Sequence, residues 1–233
     1  MNRIAVIADV HGNLPALRAV LAELQRESFD VVVSAGDQVS GPMPAESLEL
    51  LRGLDVPVRW VMGNADRLAC EPGEGAHASD RWAHERLDDE QQAFIAGWEP
   101  VVTLGDVLVC HGTPASDEEV VTVITGPDRL TGILGGVPAR LVVGGHVHHQ
   151  FTQSLRYVTW VNAGSVGMPY EGRPGAFWLE IDRGAPRMRR TDYDVDAAIE
   201  AIAATGFPDA EDLAGILRGK YTAAEAAAAL EPS

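Results

Sequence analysis

Arg3-Ile-Ala-Val-Ile-Ala-Asp-Val-His-Gly-Asn13 reads as a buried strand running into a capped helix. The apolar run from Ile4 to Ala8 is closed by an aspartate and a glycine turn, as at the end of an interior strand. Leu14, Leu17, Val20, Leu21 and Leu24 then recur at helical spacing. Asn13 can cap the first turn, and Pro15 is tolerated there because the first amides of a helix lack intrahelical partners.

The same alternation continues along the first half. Asp30-Val-Val-Val-Ser-Ala35 reads as strand, Ala45 to Leu54 as helix, and Pro57-Val-Arg-Trp-Val-Met62 as strand, the pattern of an α/β protein. Arg67 to Ala83 is poor in apolar residues, carries Pro72, Gly73 and Gly75, and is expected to be a mobile loop leading into short helices. Beyond it, Val107–Cys110, Leu141–Gly144, Tyr157–Val161 and Ala176–Ile181 have the apolar, β-branched and aromatic content of strands. An α/β fold with two packed, mixed β-sheets and helices outside is the expectation. From Asp194 the chain changes to alanine-rich helical runs broken by Gly206-Phe-Pro208 and Gly219, with Thr222 and Glu225 spaced as a capping box. This divides the chain into a domain carrying the chemistry over residues 1–193 and a helical extension over 194–233 packed on it.

At 233 residues the chain is long enough for one sizeable core. Its 46% hydrophobic and 22% charged content excludes disorder and collagen-like repeats. A net charge of −16 argues against an extended nucleic-acid surface and against an anionic-membrane anchor, both of which need basic surface. It leaves a small phosphate-containing substrate open, because a bound cation inverts the local field. No apolar run approaches the roughly 18–20 residues of a bilayer crossing, and the sequence after Met1 enters a strand without a signal-like apolar core. A cytoplasmic protein with Cys70 and Cys110 reduced is expected. Self-association is left open. Lys220 is the single lysine, and with no GK[ST] sequence a Walker-type phosphate loop is excluded.

Polar residues stand where the strands are expected to end. Five clusters do so: Asp9-Val-His11, Gly36-Asp37, Gly63-Asn-Ala-Asp66, His111-Gly112 and Gly145-His-Val-His148. Singly, each has an ordinary explanation as a turn or a local hydrogen bond. Together they gather four of the seven histidines with Asp and Asn, the side chains that bind borderline and hard divalent ions. In an open α/β sheet such positions face one crevice beyond the carboxyl edge.

The order DxH, GD, GNxD, H, GHxH resembles the calcineurin-like metallophosphoesterase superfamily. His111-Gly-Thr-Pro114, Asp117 and Asn162-Ala-Gly-Ser-Val-Gly167 are similar to its YfcE-like bacterial and archaeal branch. The resemblance implies a four-layer αββα sandwich and two divalent transition-metal ions, Mn, Fe, Zn, Ni or Co, with Mn favoured. It puts Asp9, His11, Asp37 and His148 on one ion, and Asp37, Asn64, His111 and His146 on the other. Asp37 would bridge, and Asp37, Asn64 and His111 would stand nearest the reaction. The implied activity is hydrolysis of a phosphodiester, phosphoanhydride or phosphomonoester by a hydroxide held between the ions. Some members of the superfamily use the fold for protein contacts instead, so a non-catalytic scaffold is the alternative.

Two positions depart from the family pattern. Ala65 stands where GNH[DE] members carry a histidine, and no second aspartate follows Asp37 closely, the sequence reading Asp37-Gln-Val-Ser-Gly41. Without a proton donor at position 65, aryl phosphodiesters and phosphoanhydrides are expected to be better substrates than alkyl phosphomonoesters. Asn13 is expected first as a helix cap; it and Arg67 are also candidates for touching substrate phosphate or for supporting the ligands from behind, and Asp66 is expected to hold a ligand or its loop in place. His149 should point away from His148, in solvent or behind the ligands. His77 and His84 are expected on the surface of the mobile segment, Cys110 in a buried strand, and Trp160, Phe177 and Trp178 in the core or on a sheet face.

Overall fold

The computed structural model describes residues 3–232. Strands β1 (Arg3–Ile7), β2 (Val31–Ser34) and β3 (Val58–Trp60) run parallel, and β9 (Ala176–Asp182) and β10 (Ala185–Thr191) extend this sheet antiparallel on the far side of β1, in the order β10-β9-β1-β2-β3. The second sheet has the order β4-β5-β6-β8-β7, built from β4 (Val101–Leu104), β5 (Val107–Cys110), β6 (Leu141–Gly144), β7 (Gln150–Ser154) and β8 (Thr159–Ala163). Its three central strands β5, β6 and β8 are parallel, and its two edges are antiparallel.

Strand alternation creates the layers. Ile4, Val6 and Ala8, with Leu179 beside them on β9, face Val109, Val143 and Val161 in a core between the sheets, while Ala5 and Ile7 point to the opposite side, against Leu17, Val20 and Leu21 of α1 (Leu14–Arg26). The outer face of the second sheet packs Val142 and Trp160 against Leu130 and Leu134 at α6 (Pro127–Ile133). The result is helix, sheet, sheet, helix. Apolar character on both faces of β1 follows from this double burial.

The segment expected to be a mobile loop is mostly ordered helix: α3 (Asn64–Cys70) and α4 (Ala78–His84), with residues 71–77 between them. The correction has a local cause. Asp66 caps α3 by accepting from the Gly63 amide at 3.2 Å, and Asp80 caps α4 by accepting from the His77 amide at 2.7 Å. Ala69 and Ala83 then bury themselves in a cluster with Val39, Leu48, Ile95 and Trp98, where Leu48 lies on α2 (Pro44–Arg52) and Ile95 on α5 (Asp89–Ala96). The chain beyond Asp194 forms α7 (Val195–Ala204), α8 (Ala210–Leu217) and α9 (Ala223–Leu230). Ile202, Phe207, Leu213 and Leu217 of this tail pack against Met43, Trp82 and Met168. Glu231 ties its end to the second sheet's helical layer, accepting from Thr125 Oγ1 at 2.7 Å and Arg129 at 2.9 Å.

Among the described residues no helix is long and apolar enough to cross a membrane.

Candidate metal centre

Parallel strands deliver their carboxyl ends to one edge, so the turns after β1, β2, β5 and β6 meet there. Backbone hydrogen bonds stitch them: the Asp9 amide donates to Gly36 O at 3.0 Å, His11 N to Asp37 O at 3.0 Å, and Gly145 N to His111 O at 2.9 Å. Two groups of side chains result, Asp9, His11, Asp37 and His148 in one and Asp37, His111 and His146 in the other, each with its ligand atoms within 4.8 Å of one another. Asp37 belongs to both. Asn64, at the start of α3, reaches the second group with Oδ1 3.1 Å from His111 Nε2.

The backbone at this edge is unusual in a consistent way. Asp9, His11, Asp37, His146 and His148 have φ of 53°, 46°, 54°, 72° and 59°, and only Arg183 shares positive φ among the other described non-glycine residues. Left-handed backbone costs a side-chain-bearing residue about 1–2 kcal/mol. Five such residues converging on one point are held there by the surrounding structure, as at functional sites. Close approach also restricts the neighbours: a Cβ on Gly36 would fall 2.5 Å from His111 Nδ1, and one on Gly63 would fall 2.2 Å from Asp37 Oδ1.

Carbonyl oxygens set the tautomers. His11 Nδ1 lies 2.9 Å from Ser40 O, His111 Nδ1 2.9 Å from Ala35 O, and His148 Nδ1 2.8 Å from Met168 O. A carbonyl only accepts, so each Nδ1 carries a hydrogen and each Nε2 is the nitrogen that faces the cluster. His146 is reversed, with Nε2 3.2 Å from Glu118 O and Nδ1 as its free nitrogen. Asp37 Oδ1 accepts from the Ala65 amide at 2.8 Å, leaving Oδ2 3.3 Å from His111 Nε2 and 3.8 Å from His11 Nε2.

Charge is concentrated between Asp37 and His111. Burial works against ionising either, but their contact outweighs it, holding the Asp37 carboxyl far below the ordinary carboxylate range and raising His111 to about 10, so that His111 Nε2 shares a proton with Asp37 that a bound ion would displace. Burial, reinforced by a neighbouring histidine, lowers His11 and His146, which keeps them neutral, the form that ligates. The donor set therefore fits divalent ions: carboxylate and amide oxygens, imidazole nitrogens with fixed tautomers, and no thiolate.

Asp66 is buried under the ligand loops, accepting from the amides of Gln38 at 2.8 Å and Val39 at 3.1 Å as well as from Gly63, so it joins the GD turn to the GNxD turn. Ser165, in the Asn162–Gly167 segment, donates from Oγ to Asp9 O at 2.7 Å and accepts from the Met168 amide at 2.7 Å. Asn13 caps α1, accepting from Ala16 N at 3.2 Å, and its other end donates to Gly167 O at 3.0 Å from a fully buried position. Arg67 is likewise engaged, by Asp117 and Glu118 at 2.8 Å each. Asn13 thereby ties α1 to the Asn162–Gly167 segment, and Arg67 ties α3 to the acidic turn after His111.

His149 is not in solvent. It is fully buried, donates from Nδ1 to Val147 O at 2.8 Å and stacks on Phe151 at 5.2 Å. Its alternation was read correctly, but the far face of the turn lies under the second sheet's outer core. His84 is half-buried, with Nδ1 2.9 Å from Ala69 O, whereas His77 is exposed on the rim of the cavity over the ligands. Cys110 is buried, as are Trp160, Phe177 and Trp178.

A cavity of about 400 Å³ opens over His11, Asp37, Asn64, His146 and His148. Its walls include residues that no motif marked: Tyr170, whose ring stacks on His148 at 4.8 Å, and Phe207, Asp209 and Leu213 from the tail. The aromatic at position 170 and the acidic helix start at Asp209 are ordinary features in sequence. Only the tertiary packing brings them here.

Two mixed five-stranded sheets between helices, with His, Asp and Asn gathered at the strands' carboxyl ends, are the architecture of metallophosphoesterases. The chain belongs to the calcineurin-like phosphoesterase superfamily, whose domain model matches residues 2–184. A metallophosphoesterase from Sphaerobacter thermophilus superposes with a TM-score of 0.80 at 25% identity, over 93% of this chain and 98% of that one. The hypothetical protein PH1004 from Pyrococcus horikoshii OT3 gives 0.83 at 19% identity, over 95% and 100%. The phosphoesterase YfcE from E. coli gives 0.51 at 19% identity, covering 82% of this chain and 100% of its own.

Proposed function

We propose that the protein is a dinuclear metal-dependent phosphoesterase of the cytoplasm, with Asp9, His11, Asp37 and His148 holding one ion and Asp37, Asn64, His111 and His146 the other. The observation that carries this reading is the position of Asp37 in both ligand groups. One carboxylate shared by two sites lowers the repulsion between two cations, while the neutral imidazoles and amide leave net positive charge for a phosphate. Ions held there would polarise the phosphoryl oxygens and lower the pKa of water to near neutrality.

The protein's own groups do the rest. The Ser40, Ala35 and Met168 carbonyls fix three imidazoles, and the Glu118 carbonyl fixes the fourth. Asp66 and Ser165 hold the turns that carry Asp37 and Asp9. Ala65 lines the cavity beside Asn64 and offers no side-chain proton, so leaving groups that are already stable anions are favoured. Manganese suits the mixed oxygen and imidazole donors. Residues 1–193 supply all seven ligands, and residues 194–233 form a separate packed extension. A non-catalytic scaffold has no use for five strained ligand residues, which favours catalysis.

The test is a turnover screen of metal-reconstituted protein against bis(4-nitrophenyl) phosphate, 4-nitrophenyl phosphate and an alkyl monoester. Metal-dependent hydrolysis abolished by chelation and restored by Mn2+ supports the proposal. Full metal loading with no ester turned over would leave the scaffold reading.

A further inference from the structure

The wall that the tail contributes to the cavity has a chemistry of its own. Phe207, Leu213 and Ile216 present an apolar surface opposite the ligand cluster, continued by Met168 and the half-buried ring of Tyr170. Phe207 is clamped by Trp82, edge-on at 5.8 Å, and Leu213 is 4% exposed, so this wall is part of the packed structure and is not a fraying end.

Charge on the walls is one-sided. Asp80, Asp209 and Asp212 line the cavity beyond the ligands, and no arginine or lysine does. Asp80 is buried and accepts from Ser40 Oγ at 2.6 Å. Asp209 and Asp212 are exposed at the mouth, and among the described residues Asp212 pairs with Lys220, itself exposed, at 3.4 Å. Asp209 stands at the N-cap of α8 without a side-chain capping bond, so its carboxylate is free toward the opening.

We infer that the tail wall selects a phosphoester carrying one phosphorus and an uncharged, apolar or amine-bearing organic group, and rejects substrates with a second anionic group beyond the scissile phosphate. The inference rests on the proposed metal centre for the phosphate itself. The physical reason is that a second anion beside these carboxylates meets like charge, whereas an ammonium or a ring is accepted by carboxylates and apolar walls respectively. Of the leaving groups that suit Ala65, this selects aryl and similar organic esters over polyphosphate anhydrides.

The experiment uses three phosphonates that share one ring and do not hydrolyse: phenylphosphonate, its 4-aminomethyl derivative and its 4-carboxy derivative. Their binding to the manganese-loaded full chain is measured by calorimetry, beside a metal titration of the same preparation. The phosphonates with a neutral or cationic ring substituent should bind at least about tenfold tighter than the carboxylate, each tenfold being about 1.4 kcal/mol. The double variant Asp209→Asn, Asp212→Asn should strengthen the carboxylate and weaken the aminomethyl ligand. Asn also serves as an N-cap, and both sites are exposed, so the variant retains the fold. Equal affinities in the unmodified protein, or a gap that the double variant leaves intact, would overturn the inference. Metal-loaded protein that binds none of the three would overturn it while the metal centre stands, and a chain that binds no metal would overturn both.

Discussion

Arg67 grips Glu118 at 2.8 Å, and the carbonyl of the same Glu118 lies 3.2 Å from His146 Nε2. A side chain on α3 thereby orients an imidazole on the opposite sheet without touching it. Arg67 also bonds Asp117, so the whole acidic turn is pinned beside the ligands. Arg67→Ala should loosen that turn and lower the affinity of the ion at His146 by about tenfold or more, in the range seen when groups behind metal ligands are removed. Competition with a chelator should show one ion weakened and the other held. Two ions of unchanged affinity would leave Arg67 as surface decoration.

Glu180 on β9 is 1% exposed and pairs with Arg3 at 2.7 Å and with Arg189 at 2.5 Å. Glu180→Ala would remove the one buried carboxylate that the two guanidinium groups share, although Arg3 keeps Glu27 and Arg189 keeps Glu23 and Glu27. Buried ion pairs lose about 3–5 kcal/mol when one partner goes. Because both arginines are about a quarter exposed and can rehydrate, a loss near or below the low end is expected in urea unfolding at pH 7. Burial opposes the Glu180 charge, but the arginines lower its pKa below the usual glutamate range. The stabilisation is therefore full above the unfolded-state pKa and fades as the pH falls through the folded one. The gap between the two proteins should narrow in strong acid. A gap that widens on acidification would contradict the pairing.

Ala65 is 7% exposed at the edge of the cavity, and its amide holds Asp37. Ala65→His keeps that amide and adds a proton donor. Activity on alkyl phosphomonoesters should rise, since general acid assistance contributes about a hundredfold or more where it reaches the leaving oxygen. Hydrolysis of bis(4-nitrophenyl) phosphate should change little by comparison. A variant that raises neither, or unmodified protein that hydrolyses alkyl monoesters as fast as aryl diesters, would require another acid, and His77 on the cavity rim is the first to replace.

Removing residues 194–233 uncovers Met43, Trp82 and Met168 and opens one wall of the cavity. The shortened protein should melt at lower temperature and tend to associate, while its soluble fraction keeps its metals, because no tail residue is in either ligand group. Outright loss of metal from a folded truncation would place the tail in the site.

The ligand motifs were legible because each lies at a strand end next to a glycine, and residue type alone limits what Asp, His and Asn can do together there. What made the strands legible was apolar character, so those without it were missed. Ala185–Thr191 is an edge strand that pairs with β9 through its backbone and exposes most of its side chains, leaving no alternation to read. The structural ties of Arg67 and Asn13 were hidden for a different reason. Their partners, Asp117 and Gly167, lie far along the chain, and a free polar group in sequence becomes a structural tie in the fold. The left-handed backbone at five ligands was equally hidden, since Asp and His are tolerant of it without requiring it.

Asp37 is the residue on which the account depends, and its backbone decides how to test it. With φ of 54°, Asp37→Asn retains the turn better than alanine would. The charge shared between the two ligand groups is then lost while the shape is kept. Metal analysis of the purified, folded variant beside the unmodified chain is the direct measurement. Two ions per chain in the unmodified protein and far fewer in the variant are predicted, with hydrolysis lost in parallel. Full occupancy of both sites in Asp37→Asn, or an unmodified chain that takes up no second ion, would contradict a shared carboxylate at the centre of the site.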